Sequence, residues 1–304
     1  MTGRQVITRQ QIAAGLAELG IGPGNVVLGH ASLRSFGFVV GGVQSLYLAL
    51  CDVLGSAGTL AMPSFTPQLC HPSTWRAADL AGSDLDEVAR GMPPFDVLRT
   101  PAARSIGALS EMLRAVPESL RSNHPHVSFV AKGSHDADIT RRHPPEYRLS
   151  AHSPLGVFWE LNATVLMLGT GWSTCTALHL AEYAAPYPGR RVGLWQLPTA
   201  GADGAHWHEV PELLIWEGDF DKLGSAYELS GGAVTTARVG DAVCRAVRLR
   251  PLIRFATRWL LDHRDLRRGI APPGWREVVD AAGPLPVPAL PEAVPPAVPS
   301  ASPR

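Results

Sequence analysis

VVLGHASLRSFGFVVGGVQSLYLALCDVLGSAGTLAMPSF, residues 26–65, carries the pattern that sets the fold class. Val26, Val27 and Leu28 form a buried-strand run that enters the polar turn His30-Ala31-Ser32-Leu33-Arg34-Ser35. After Gly41-Gly42, the segment VQSLYLALCDVLG places Leu46, Leu50, Val53 and Leu54 on one helical face. Gly55 and Gly58 stop that helix, and Thr59 to Phe65 reads as a second strand. Strand, long turn, helix, strand is a βαβ unit, so the two strands are expected to pair in parallel.

Working outward, Thr8 with Gln11 predicts a capping box for a helix whose apolar face is Ile12, Leu16 and Leu19. Residues 66–100 lack periodicity and read as a long loop. Thr100-Pro101 opens an expected helix through about Val116, and Ser128 to Ala131 is a short strand. Thr164 to Leu168 is a strongly apolar strand that ends at Gly169-Thr170-Gly171, ahead of a helix over about Thr176 to Ala185. Arg191 to Leu197 and Val234 to Val239 are weaker strands, and Leu249 to Leu261 is an Arg-decorated helix. Residues 1–282 read as one α/β domain, with division into two subdomains left open. Residues 283–304 contain eight prolines and read as an extended, disordered tail.

The composition narrows the function. The 304 residues carry 27 Lys+Arg against 27 Asp+Glu, and only Lys132 and Lys222 are lysines. That balance argues against a nucleic-acid binder. Hydrophobic residues make up 45%, enough for a large core, yet no window reaches the run of about 18 apolar residues that a membrane span needs. The N-terminus lacks a signal-peptide pattern, and the four cysteines are scattered, so the expected setting is a reducing cytoplasm. There is no G-x-S-x-G elbow and no phosphate loop. His124-Pro125-His126 and His206-Trp207-His208 look like metal pairs, but no third ligand stands at a convincing spacing, and hydrogen-bonded or exposed histidines are the simpler account.

Four constellations could carry chemistry. The turn from His30 to Gly42 offers Ser32, Arg34, Ser35 and outward backbone N–H groups to an anion, or is an ordinary Gly-rich connection. Arg121, Ser122, His124 and Ser128 suit a pyrophosphate and a hydrogen-bonded turn equally. His179 and Glu182 stand at i and i+3 on one helix face, behind a strand and a Gly-rich turn, where α/β sites gather. The bland alternative for that pair is a surface helix with two unrelated polar residues. Asp96 could hold a ligand, but its spacing favours a cap.

The ordered segments 28–66, FDVLRTPAARSIGALSEMLR (95–114), RSNHPHVSFVAKG (121–133), HSPLGVFW (152–159), LMLGTGWSTCTALHLAEY (166–183) and Gly240-Asp241-Ala242 resemble the aminoglycoside N(3)-acetyltransferases. These belong to the antibiotic acetyltransferase family, which does not have the GNAT fold. The resemblance spans about residues 8–263. It implies an α/β fold with a mixed, largely parallel central sheet flanked by helices and a CoA cleft. It implies acetyl transfer from acetyl-CoA, with no metal, to the 3-amino group of a 2-deoxystreptamine antibiotic, giving resistance; some related members act on other amines. Carried onto this sequence, Ser32, Leu33, Arg34, Val40, Gly41 and Gly42 would hold CoA, completed by Ser122, His124 and Ser128. His179 would be the general base beside Glu182, Thr176 a donor to the thioester oxygen, and Asp96 with Glu182 the acceptor contacts. The chain would act as a monomer or homodimer, without nucleic-acid or membrane partners.

The acceptor is a polycation, so its pocket is expected to be lined by carboxylates. Candidates are Asp79, Asp84, Asp86, Glu87, Asp96, Glu209, Glu212, Glu217, Asp219 and Asp221. Rival readings are acetylation of another amine, a CoA-binding protein without catalysis, and a hydrolase. The His179–Glu182 pair speaks against the second and the missing elbow against the third.

Overall fold

A computed structural model of the chain describes residues 5–75, 77–201, 204–267 and 274–290. The opening runs through β1 (Val6–Ile7), α1 (Arg9–Glu18), β2 (Val26–Ala31), β3 (Phe38–Val39), α2 (Gly42–Leu54) and β4 (Thr59–Pro63). The capping box forms as expected: the Thr8 hydroxyl accepts from the Gln11 N–H, and the Gln11 side chain accepts from the Thr8 N–H at 2.9 Å. β2 and β4 pair in parallel, with Val27 opposite Leu60. The stretch read as a long loop holds short 3₁₀ turns and α3 (Leu85–Arg90). The helix expected from Thr100 starts only at α4 (Ala108–Ala115), because Gly107 takes φ +105°, outside the helical region.

β5 (Leu120–Arg121), β6 (Phe129–Gly133), α5 (Asp136–Thr140), α6 (Pro154–Glu160), β7 (Thr164–Leu168) and α7 (His179–Ala184) follow. The remainder is β8 (Arg191–Gly201), β9 (Gly204–Leu213), α8 (Phe220–Leu229), β10 (Val234–Val239), β11 (Ala242–Arg248), α9 (Leu249–His263) and β12 (Val278–Asp280).

The main sheet has the order β10-β11-β7-β2-β4-β6-β5. Parallel pairing is confined to its centre, β7–β2–β4, and the flanking pairs are antiparallel. The sheet is mixed, as expected, but less parallel than expected. β10 and β11 are joined by the tight turn at Gly240-Asp241, too short for a parallel crossover, and β5 and β6 by residues 122–128. A second sheet, β12-β8-β9, is built on the long β8–β9 hairpin.

Strand residues alternate between two cores. Leu28, Ala61, Phe129, Val165 and Met167 face one apolar cluster, which α6, α7 and α9 cover. Val27, Leu60, Met62, Val130, Leu166 and Leu168 face the other, which α1, α2 and α4 cover. α9 buries Leu249, Leu252, Ile253, Ala256 and Leu260, one stripe at helical spacing. The disorder expected from residue 283 does not begin there. Leu285 is buried against the first core, with Val287 and Leu290 packed beside it. Residues 291–304 lie outside the described residues.

Gly169, just after β7, takes φ +68°, and a Cβ there would stand 2.5 Å from the Ser35 Cβ. Ser35 in turn donates to the Gly169 carbonyl at 2.9 Å, tying the turn after β7 to the turn after β2. Gly169→Ala is expected to lower unfolding free energy by about 1–3 kcal/mol in urea titration. Undiminished stability would contradict this close approach.

Candidate active site

A cleft of about 950 Å³ opens at the carboxyl ends of the parallel strands. Gly29, His30 and Ala31 from the end of β2, Met62 and Pro63 from the end of β4, and Thr170 beyond β7 line it. This is where open α/β sheets place ligands, since the strands stop and their connections diverge.

His179 opens α7 after two short 3₁₀ turns and also lines the cleft. Its Nδ1 lies 2.5 Å from Glu182 Oε2. The Glu182 side chain is 0% exposed. Its Oε1 accepts from the Trp216 N–H at 2.8 Å and from Arg264 Nη1. Arg264 donates to both oxygens of Asp219, at 2.9 and 2.5 Å, and to the Trp216 carbonyl at 2.8 Å. Burial opposes the Arg264 charge, but its hydrogen bonds to Asp219 and the Glu182 charge outweigh it, and its pKa lies above the ordinary value. A carboxylate offers only acceptors, so Nδ1 carries the proton in the His179–Glu182 bond. The other ring nitrogen, Nε2, is left with its lone pair. The ring is held laterally by Phe220, 5.0 Å away between centroids.

The other expected site residues divide. Ser32, Leu33, Arg34 and Thr176 line the cleft. Val40, Gly41 and Gly42 do not; Gly41 takes φ +77° and starts α2. Ser122, His124 and Ser128 do not line the cleft either; all three are fully buried with their polar atoms engaged. Ser122 accepts from the Phe129 N–H at 2.8 Å and bonds His143 Nδ1 at 2.9 Å. His124 Nδ1 accepts from the His126 and Val127 N–H groups at 3.1 and 3.2 Å. Ser128 donates to the Ser64 carbonyl at 2.8 Å. Asp96 does not line the cleft and caps a turn: its Oδ1 accepts from the Leu98 and Arg99 N–H groups at 2.8 and 2.9 Å. Glu182 faces His179 and Arg264 and is too buried to meet a ligand directly.

Of the loop carboxylates proposed for the acceptor pocket, Glu217 alone lines the cleft. Glu212 and Asp219 are buried in ion pairs, Asp221 accepts from the Ser173 N–H, and Asp84 caps α3. His206 and His208 are exposed, and among the described residues no group of three His, Cys, Asp or Glu comes together as a metal site. Sequence reasoning missed Arg264, Arg148 and Trp195, which carry no local motif. It passed over His30, now buried in the cleft wall with its pKa lowered to about 4 by burial and then by nearby His179.

The sequence profile described as aminoglycoside 3-N-acetyltransferase matches residues 28–261. The chain belongs to that family. It is 36% identical over 256 residues to the SPbeta prophage-derived aminoglycoside N(3')-acetyltransferase-like protein YokD of Bacillus subtilis strain 168, covering 84% of this chain and 93% of that one. The crystal structure of YokD superposes with a TM-score of 0.80 at 35% identity, over 86% of this chain and 95% of the other. A structure described as AAC-IIIb binary with CoASH superposes with a TM-score of 0.73 at 29% identity, over 86% of this chain and 98% of the other. The profile match ends three residues before Arg264, so the cation that holds Glu182 lies just outside it.

Two outcomes are expected. Arg264→Gln leaves two buried carboxylates without their cation and should cost about 3–5 kcal/mol of stability in denaturant unfolding, with Arg264→Lys intermediate. A Gln variant as stable as the parent would contradict the pairing. The second concerns His126 and His143, whose burial lowers their pKa values to about 3 and about 4 from 6.5, and His124, lowered well below 6.5 for the same reason. Between about pH 6.5 and 4 the unfolded chain binds more protons than the native one. Stability therefore falls as pH falls through that window, by up to about 1.4 kcal/mol per pH unit for each histidine. Tm measured from pH 7 to 4 should drop, and His143→Gln should make the slope shallower; a flat profile would contradict this.

Proposed function

We propose that this chain transfers the acetyl group of acetyl-CoA to an amine, and that the first acceptor to test is the 3-amino group of a 2-deoxystreptamine aminoglycoside. The observation that carries the reading is the His179–Glu182–Arg264 chain at the wall of the cleft. Family membership supports it, as do the CoASH in a related structure and another described as AAC-VIa bound to sisomicin.

The cleft fits the co-substrate in size and charge. Arg34 and Arg104 stand exposed among its wall residues, suited to phosphate oxygens, and the turn from Ser32 lies at a strand end. Acetyl-CoA supplies an acetyl group already activated as a thioester. An aminoglycoside amine is mostly protonated at neutral pH and must lose a proton before it can attack. His179 Nε2 takes that proton, a contribution of about 10²–10⁴-fold. Glu182 stabilises the resulting imidazolium through Nδ1, while Arg264 and the Trp216 N–H hold Glu182 in place. The nitrogen joins the acetyl carbon, the carbon–sulfur bond breaks, and the departing thiolate takes up the second proton that the nitrogen loses on becoming an amide. Thr176 lines the cleft, and in this reading its hydroxyl is the donor for the carbonyl oxygen.

A second reading, acetylation of a different amine, has one observation in its favour. Among the described residues that line the cleft, Glu217 is the one carboxylate, against Arg34, Arg104 and Arg148. Thiol release from acetyl-CoA against a panel of aminoglycosides, with mass spectrometry of the product, separates the two. A single added acetyl group is the expected result, and silence across the panel moves the search to other amines. His179→Ala should lower kcat about 10²–10⁴-fold while acetyl-CoA binding persists. Near-normal turnover would remove His179 as the base.

A further inference from the structure

We propose that Arg148 forms an anion-binding position in the cleft for a carboxylate or phosphate carried by an acceptor amine, so that amines of this class are substrates beside or in place of polycations. The proposal rests on the N-acetyltransfer reading and narrows its acceptor.

Arg148 is 9% exposed, yet it lines the cleft. Its backbone is pinned on both sides: the N–H donates to Glu212 Oε2 at 2.9 Å, and the carbonyl bonds His143 Nε2 at 2.8 Å. Its guanidinium lies over the Trp195 ring, 4.8 Å from the centroid, a cation–π contact that helps to hold it in place. Glu212 is its ion-pair partner, but Arg148 Nε stands 3.8 Å from Glu212 Oε2, beyond hydrogen-bond length, and that nitrogen is buried without a partner. The Glu212 carboxylate is already filled by the Tyr183 hydroxyl at 2.5 Å, the Leu213 N–H at 2.7 Å and the Arg148 N–H.

Among the described residues, then, no protein acceptor takes a hydrogen bond from the Arg148 side chain. A guanidinium has five donors, and a buried one without acceptors is costly. The neighbouring side chain that could have changed this, His126, is used up. Its Nδ1 accepts from the Trp195 indole at 2.9 Å, and its Nε2 bonds the Leu69 carbonyl at 3.0 Å. Trp195, Ile215 and Phe65 supply apolar wall to the cleft. The position thus has a largely buried planar cation in the wall of a space large enough for a ligand. Its fork matches a carboxylate or phosphate in two-pronged geometry. Arg34 and Arg104, the other arginines among the described residues that line the cleft, differ in kind: both are exposed.

The test compares amines matched in length that do or do not carry a carboxylate, in the parent and in Arg148→Gln, following kcat/KM for the amine and KM for acetyl-CoA. The carboxylate should favour the parent by roughly tenfold or more, and the advantage should vanish in Arg148→Gln with KM for acetyl-CoA unchanged. Arg148→Lys should restore it only in part. A rise in KM for acetyl-CoA with no change in amine preference would assign Arg148 to a CoA phosphate and overturn the proposal, as would no change in either. A turnover-free arm titrates inorganic phosphate and acetate into the parent protein in the presence of saturating CoA, read by calorimetry. Binding that is lost in Arg148→Gln supports the site even if no amine is acetylated, which would count against the N-acetyltransfer reading alone. Binding abolished by CoA in the parent, or retained in the variant, overturns the site.

Discussion

Arg264 lies between two carboxylates, and the geometry of the His179–Glu182 pair depends on where it sits. It follows α9, yet it bonds Glu182 in α7, Asp219 at the start of α8 and the Trp216 carbonyl after β9. Three segments distant in sequence therefore meet on one guanidinium. Desolvating these groups is costly, and the cost is offset only if every oxygen finds a donor. Here the two Glu182 oxygens take Arg264, the Trp216 N–H and His179. That saturation gives His179 a single orientation and a single tautomer with a free Nε2. In the proposed reaction, the rest of the site brings an amine and a thioester to that nitrogen.

The sheet places this arrangement at a strand-end cleft. Parallel pairing of β7, β2 and β4 sends three chain connections outward at one edge. The turns after β2 and β7 are bound to each other by Ser35 and Gly169, which ties the Ser32–Arg34 wall to the approach to α7. The charge of the cleft is the less expected feature. Its described walls bring three arginines and one carboxylate, Glu217, to the ligand. Of the loop acids, Asp84 and Asp96 serve as caps and Glu212 and Asp219 lie in buried ion pairs instead.

Much of the fold was legible because it is local. The capping box at Thr8, the βαβ unit at 26–65 and the Thr164–Leu168 strand follow from spacing within a few residues. The i, i+3 spacing of His179 and Glu182 likewise reports a contact within one helical turn. What was not legible depends on long-range partners. Nothing near Arg264 distinguishes it from the other arginines around α9, since its role lies 82 residues back in the chain at Glu182. Ser122, His124 and Ser128 have the same side chains whether they hold a phosphate or the ends of β5 and β6, and only burial decides. Leu285 packs against a core that the prolines around it do not reveal.

The central claim is that Glu182, fixed by Arg264, holds the proton of His179 on Nδ1 and leaves Nε2 as the base. Nitrogen-15 NMR of the His179 ring, recorded at the alkaline limit of its titration so that the imidazole is neutral, reads this directly. The account predicts a protonated Nδ1 and a pyridine-like Nε2 in the parent, with the tautomers mixing in Glu182→Gln. A pyridine-like Nδ1 in the parent would contradict it, because the nitrogen facing Glu182 would then carry no proton.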